Sequence, residues 1–330
     1  MTEQAAAPDP FIIRQDFVLE DRAMILRRTL IALAASACAL LGTATLADQS
    51  ATAPAAAAAA APLPASARPA LWKVADHDTT IYLFGTIHVL PEGIDWYKGP
   101  VRQAFEHSDM LMTELPDLST GEVAAAMLKQ GLLPKGQTLR GLMTDDQRGR
   151  YEAGLTKIGL QPAMFDHNRP WVVALLLPLV RVQQLGFDPR HGVEAKLGAR
   201  VKELGRPHQG LETVDEQFAI FATLSPDEQM EYLMAVVDAL PQIDAQIGTM
   251  IKHWVKGDAA GLAEFLNSED DRKFADALIF NRNRNWASWI SARMKQPGTV
   301  FIAVGAGHLG GKGSVQDVLA KDGYKASRVQ

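Results

Sequence analysis

Two apolar, β-prone runs far apart in the chain end alike: Tyr82-Leu83-Phe84 leads into Gly85-Thr86-Ile87-His88, and Ile302-Ala303-Val304 into Gly305-Ala306-Gly307-His308. Each reads as a buried strand. Glycine after a buried strand gives a sharp turn at the sheet edge, where α/β proteins place their ligands. The histidine three residues on would face that crevice, with an imidazole able to ligate a metal or carry a proton near neutral pH. The plainer possibility is that each histidine caps a turn or satisfies a buried backbone group. Two strands ending alike weigh against it.

The elements between these runs set the fold class. Residues 71–74 and 80–84 flank the polar Asp76-His77-Asp78 and predict a β-hairpin. A helix is expected near 96–107, then a buried strand over 110–114 that ends in the carboxylate of Glu114. Residues 121–205 read as mainly helical. The most apolar helix, 170–185, is too short and too interrupted by Pro178 and Arg181 to be a membrane span. A short strand over 208–213 meets a helix starting near Val214, and Ser225-Pro226-Asp227-Glu228 carries a cap, a first-position proline and a third-position acid. Long amphipathic helices run to about Lys295. A strand over 299–304, a helix over 314–321 and a final edge strand close the chain. No repeat at a solenoid period occurs. The expectation is an α/β fold, a central mixed sheet flanked by helices with a mainly helical middle.

The first seventy residues are not expected to belong to that fold. Residues 24–47 read as a secretory signal: Arg27 and Arg28 form the positive region, 31–41 the apolar one, and Thr45 and Ala47 supply small residues for cleavage. Residues 1–23 lack export character, which makes Met24 a candidate start. Two other readings compete: an uncleaved anchor over 29–47, and a lipoprotein site at Cys38, which lacks the usual leucine. The Ala/Pro-rich stretch 48–69 cannot bury a core and is expected to be a disordered tether to a single catalytic domain over 70–330. Cys38 is the one cysteine, so the mature chain would have no disulfides. The net charge of −5, with scattered lysines and arginines, argues against a nucleic-acid partner. The expected location is periplasmic or secreted, with no stable membrane span in the mature protein.

Glu114 faces the same edge as the two histidines if their strands are parallel neighbours. The trio would then form a two-His, one-carboxylate set with open positions, suited to Mn, Co, Fe or Zn. A surface glutamate is the other reading. Arg282 stands in a basic run, Asn281-Arg282-Asn283-Arg284, that reads as the first turn of a helix also bearing Trp286. A cation beside the positive end of a helix dipole is unfavourable. That misfit points to a task, such as clamping a carboxylate or stabilising an oxyanion, while a buried ion pair with Glu212 would serve equally. HExxH, Gly-x-Ser-x-Gly and Cys-rich zinc patterns are all missing from the sequence.

The segments LFGTIHVL, TELP, GLETVDEQ, Arg282-Asn283 and VGAGHLGGKGSVQDVLAKDGY resemble, in order, the TraB/PrgY/GumN family, relatives of the animal Tiki metalloproteases. The resemblance implies an α/β fold like that of the erythromycin-esterase and ChaN group. It further implies a Mn- or Co-dependent peptidase using two GxxH motifs and an acidic residue, which carry over to His88, His308 and Glu114. Glu212, Arg282 and Asn283 fall at further motif positions. The expected chemistry is metal-assisted hydrolysis of a peptide or related carbonyl bond. His88, Glu114 and His308 would hold the metal, Arg282 would stabilise the oxyanion, and Glu212 would be a base or supporting partner. A metal-free variant would use His88 as base with Glu114. The rivals are a non-catalytic protein that sequesters a peptide or small ligand through Arg282 or Trp286, and a structural envelope component.

Overall fold

The computed structural model describes residues 66–116, 120–266 and 275–330. The expected signal, Cys38 and the tether up to residue 65 lie outside the described residues. Residues 66–69, expected at the end of the tether, are pinned to the domain: the Ala67 amide donates to the Asp95 carbonyl at 3.0 Å and the Arg68 amide to the Val255 carbonyl at 2.8 Å.

β1 (Leu71–Ala75) and β2 (Thr79–Thr86) form the expected antiparallel hairpin. Then come α1 (Gly99–Glu106), β3 (Met110–Thr113), α2 (Thr120–Gly131), α3 (Asp145–Lys157), α4 (Pro170–Gln184) and α5 (Val193–Glu203). β4 (His208–Gly210) precedes α6 (Val214–Ala222), α7 (Pro226–Ala239), α8 (Ile243–Lys256) and α9 (Ala259–Leu266). A π-helical turn over Asp276–Phe280 feeds α10 (Asn281–Arg293), and β5 (Gly298–Gly305), α11 (Val315–Lys321) and β6 (Ser327–Arg328) complete the chain.

The six strands run in the order β4-β3-β5-β2-β1-β6. β4, β3, β5 and β2 are parallel, and β1 and β6 add an antiparallel edge. This is the expected mixed sheet. Alternation along each strand splits the core in two. Phe84, Leu111 and Phe301 face the helical middle, whereas Leu83, Met112, Val300 and Ile302 pack with Trp286, Ile290 and Leu319 beneath α10 and α11. Pro178 sits inside α4 without ending it. Among the described residues no helix is long and apolar enough to cross a membrane.

The parallel arrangement matters most for function, because it brings the carboxyl ends of four strands to one edge. Thr86 lies opposite Gly305, and Thr113 opposite Ala303. Pairing continues past the strand ends, with the Leu211 amide donating to the Thr113 carbonyl and the Glu212 amide to the Glu114 carbonyl. The chain thus leaves the sheet at His88, Glu114, Glu212 and His308 side by side.

Candidate active site at the strand ends

The two glycines do not make the sharp turn expected of them. Neither has a positive φ, and the strands run on through Gly85 to Thr86 and up to Gly305. Their use is close approach: a Cβ on Gly85 would stand 3.0 Å from the Ala306 Cβ. Trp254 fixes the same spot by donating its Nε1–H to the Gly85 carbonyl at 2.8 Å.

Arg282 lies at the centre of the crevice, 6% exposed. Its Nε donates to Glu212 Oε1 at 2.8 Å, and its Nη2 to Glu212 Oε2 at 2.9 Å and Glu114 Oε2 at 2.6 Å. Nη1 donates to the Leu278 carbonyl at 3.2 Å and approaches His308 Nε2 at 3.3 Å. Five N–H donors meet five acceptors, so none is free for an oxyanion or a ligand carboxylate. The expected oxyanion role is corrected accordingly: Arg282 organises the crevice. The dipole argument also changes, because α10 has no free start at Asn281 but continues from the π turn. π turns recur at functional sites, and here the Leu278 carbonyl accepts from the arginine.

Glu114 and Glu212 are equally committed. Glu114 Oε1 accepts from the Gly305 amide at 2.8 Å, and Gln217 bridges the two carboxylates at 3.2 and 3.0 Å. Trp286 donates its indole N–H to Glu212 Oε1 at 2.9 Å, and its ring lies under the Arg282 guanidinium. Burial alone would raise the Glu114 pKa. Arg282, then His308 and His88, hold it far below the ordinary carboxylate range. Gln217 was not singled out from sequence. The Thr213–Glu216 capping box that starts α6 was the local signal, because it fixes which residue of the next turn points back at the sheet.

His308 is 2% exposed, its ring tilted against that of Trp286 with the centroids 4.4 Å apart. Asn283 Nδ2 donates to the Gly313 carbonyl, so its Oδ1 faces His308 Nδ1 at 2.7 Å. That assigns the proton to Nδ1 and leaves the Nε2 lone pair toward Arg282. Burial and then the Arg282 charge lower the His308 pKa to about 3. This imidazole is neutral throughout the physiological range.

His88, 5% exposed, lies across the crevice beside Glu194, with Nδ1 3.0 Å from Glu194 Oε1. The approach is not aligned as a hydrogen bond: both ring nitrogens and both carboxylate oxygens are buried without one. Burial, the largest single effect, would lower the His88 pKa, but its interactions with Glu194 and the charge of Glu114 together outweigh it and the net shift is upward. Glu194 is in the first turn of α5, which is pressed on the loop from β2. The Val193 amide donates to the Ile87 carbonyl, and a Cβ at Gly192 would overlap the His88 carbonyl oxygen. Nothing in the sequence near Glu194 marks it as a site residue.

All six residues picked from sequence, His88, Glu114, Glu212, Arg282, Asn283 and His308, therefore meet at one rim. A model of the TraB/PrgY/gumN family matches residues 70–328. The chain belongs to this family. It is 24% identical to the uncharacterized protein YbaP of Escherichia coli strain K12 over 72% of this chain and 87% of that one. It is 28% identical to metalloprotease TIKI2 of Xenopus tropicalis and 26% identical to metalloprotease TIKI1 of Homo sapiens. Those two alignments cover 77% of this chain but only 58% and 61% of the relatives. No solved structure matches the chain.

For this family member, the expected ligand set can be tested on the donor atoms. His88, Glu114 and His308 do not bring three ligand atoms within 4.8 Å of one another. Among the described residues the group that does is Asp76, His77 and Asp78 on the exposed β1–β2 turn. The carboxylate of Glu114 is already held by Arg282, Gln217 and the Gly305 amide. By contrast, the unbonded nitrogens of His88 and the unbonded carboxylate facing them are a donor set that fits a divalent transition metal.

Proposed function

We propose that the protein is a hydrolase acting outside the cytoplasm on a peptide or related carbonyl bond, with a divalent metal, Mn or Co, at the His88 end of the crevice. The observation that carries this reading is the convergence of two buried imidazoles, one buried and two part-buried carboxylates and one buried arginine at the carboxyl ends of four parallel strands. Relatives named metalloproteases supply the reaction class. A bound metal would lower the pKa of a water toward neutrality at His88 and its facing carboxylate.

The chain's own groups do the rest. His308, kept neutral and held at Nε2 by Arg282 and at Nδ1 by Asn283, forms a fixed polar wall of the crevice against which the substrate is positioned. The Arg282 cluster, its charge matched by Glu114 and Glu212, fixes that imidazole. Asn283 holds the tautomer. The sequestering alternative loses its tools, since the donors of Arg282 and Trp286 are engaged inside the protein. Export is read from residues 24–47, and N-terminal sequencing of the protein recovered from the cell envelope checks it.

The test is a peptide library incubated with the purified protein and Mn or Co, with new termini read by mass spectrometry. Cleavage is expected, falling about a hundredfold or more in His88→Ala and His308→Ala, as loss of a key polar group in such sites does. An intact library, or cleavage that survives both substitutions, overturns the proposal.

A further inference from the structure

The least satisfied groups in the crevice lie at a side chain that no motif marks. Both carboxylate oxygens of Glu194 and both ring nitrogens of His88 are buried without a hydrogen bond, and so is Thr86 Oγ1, two residues before His88. A buried polar group left without a hydrogen bond is destabilising. Five of the nine such atoms among the described residues fall on these three side chains, whereas every donor of Arg282 nearby is matched.

Geometry narrows what they await. His88 Nδ1 and Glu194 Oε1 lie 3.0 Å apart, yet not in line for a proton between them. Two protein donors on neighbouring corners of an octahedral metal, each bonded at about 2.0–2.2 Å, are separated by about 3 Å. An imidazole nitrogen with a carboxylate oxygen is a donor pair that borderline cations of the Mn-to-Zn series accept. Glu114 is the poorer candidate, because Arg282, Gln217 and the Gly305 amide already occupy it.

We infer that Glu194 and His88 together ligate a divalent transition cation, so that Glu194, not Glu114, is the carboxylate of the metal site. The placement rests on the hydrolase reading only for the use of the metal, not for its presence. The pair is held by the α5 start: Gly192 lets the helix approach the His88 carbonyl, and the Val193 amide ties it to Ile87.

The experiment titrates Co(II) into chelator-stripped, purified protein and follows its visible absorption, with Mn(II) paramagnetic resonance as a second reading. Wild type is expected to take up one cation per chain. The isosteric Glu194→Gln should weaken uptake about 10- to 100-fold or more, in the range of ligand-environment losses. Glu114→Gln should leave Co(II) binding within about threefold, since that carboxylate's bonds are internal. Circular dichroism confirms that each variant is folded, and Glu194→Asp, which keeps the charge, should bind between the two. Wild type that takes up no cation, its pair being a protonated His88 beside Glu194, overturns the inference. So does a folded Glu194→Gln that binds like wild type. Uptake through Glu194 with an intact peptide library supports the cation site and sinks the hydrolase. Cleavage with no cation bound does the reverse.

Discussion

At the scale of single residues, Arg282 decides the character of the crevice. Its guanidinium faces the buried Glu114 and the largely buried Glu212, and its partner bonds are near ideal in length. Breaking such a pair leaves carboxylates in a low-dielectric interior, so Arg282→Met is expected to cost about 3–5 kcal/mol, read from urea unfolding. Arg282→Lys should recover only part of this, because an ammonium cannot reproduce the fork that spans both carboxylates. A loss below about 1 kcal/mol would show that the carboxylates find other partners, as exposed pairs do. Asn283 makes a second residue-scale claim. Its fixed Oδ1 requires the Nδ1–H tautomer of His308, which nitrogen–proton correlation spectra of ring-labelled protein report directly. Finding the proton on Nε2, or its freedom unchanged in Asn283→Ala, would contradict the assignment.

At the scale of elements, what was legible in the sequence was what is decided locally. The hairpin of β1 and β2 follows from a polar interruption between two β-prone runs, and the starts of α6 and α7 from capping boxes that need only four residues. The six candidate residues were legible because each follows a strand end or stands in a recognisable motif. The order of the sheet was not, since β5 lies between β2 and β3 through contacts that no local pattern encodes. Glu194 was hidden for the same reason: it reaches His88 only because the start of α5 docks on a loop a hundred residues earlier in the chain. That docking gives an element-scale prediction. Gly192→Ala puts a methyl group into the His88 carbonyl oxygen, and backbone on both sides leaves little room to yield. The expected loss is about 1–3 kcal/mol in thermal unfolding, with α5 moved off the loop and Co(II) uptake reduced together. Wild-type stability with wild-type uptake would mean the helix is not pressed there as described.

For the whole molecule, the parallel strands put two histidines with opposed electrostatics in one buried crevice, and overall stability must register both. His308 has a folded pKa of about 3 against an ordinary 6.5, so the unfolded chain binds more protons between those values. Its contribution is complete above pH 6.5 and is lost as the pH falls toward 3, at up to about 1.4 kcal/mol per pH unit. Glu114, depressed from 4.5, adds loss of the same sign at lower pH. His88 is shifted the other way, so its contribution is complete below 6.5 and is lost as the pH rises through its folded value. The chelator-stripped protein should therefore have a stability maximum near pH 6.5, with different histidines responsible for its two slopes. Unfolding free energies measured from about pH 5 to 8, the span in which histidine titrates, separate them. His308→Gln should flatten the acid limb and leave the alkaline one, and His88→Gln the reverse. Profiles that stay parallel to wild type in both variants would mean the two imidazoles sit in ordinary surroundings, and then neither the neutral His308 nor the Glu194-facing His88 survives as a description of this crevice.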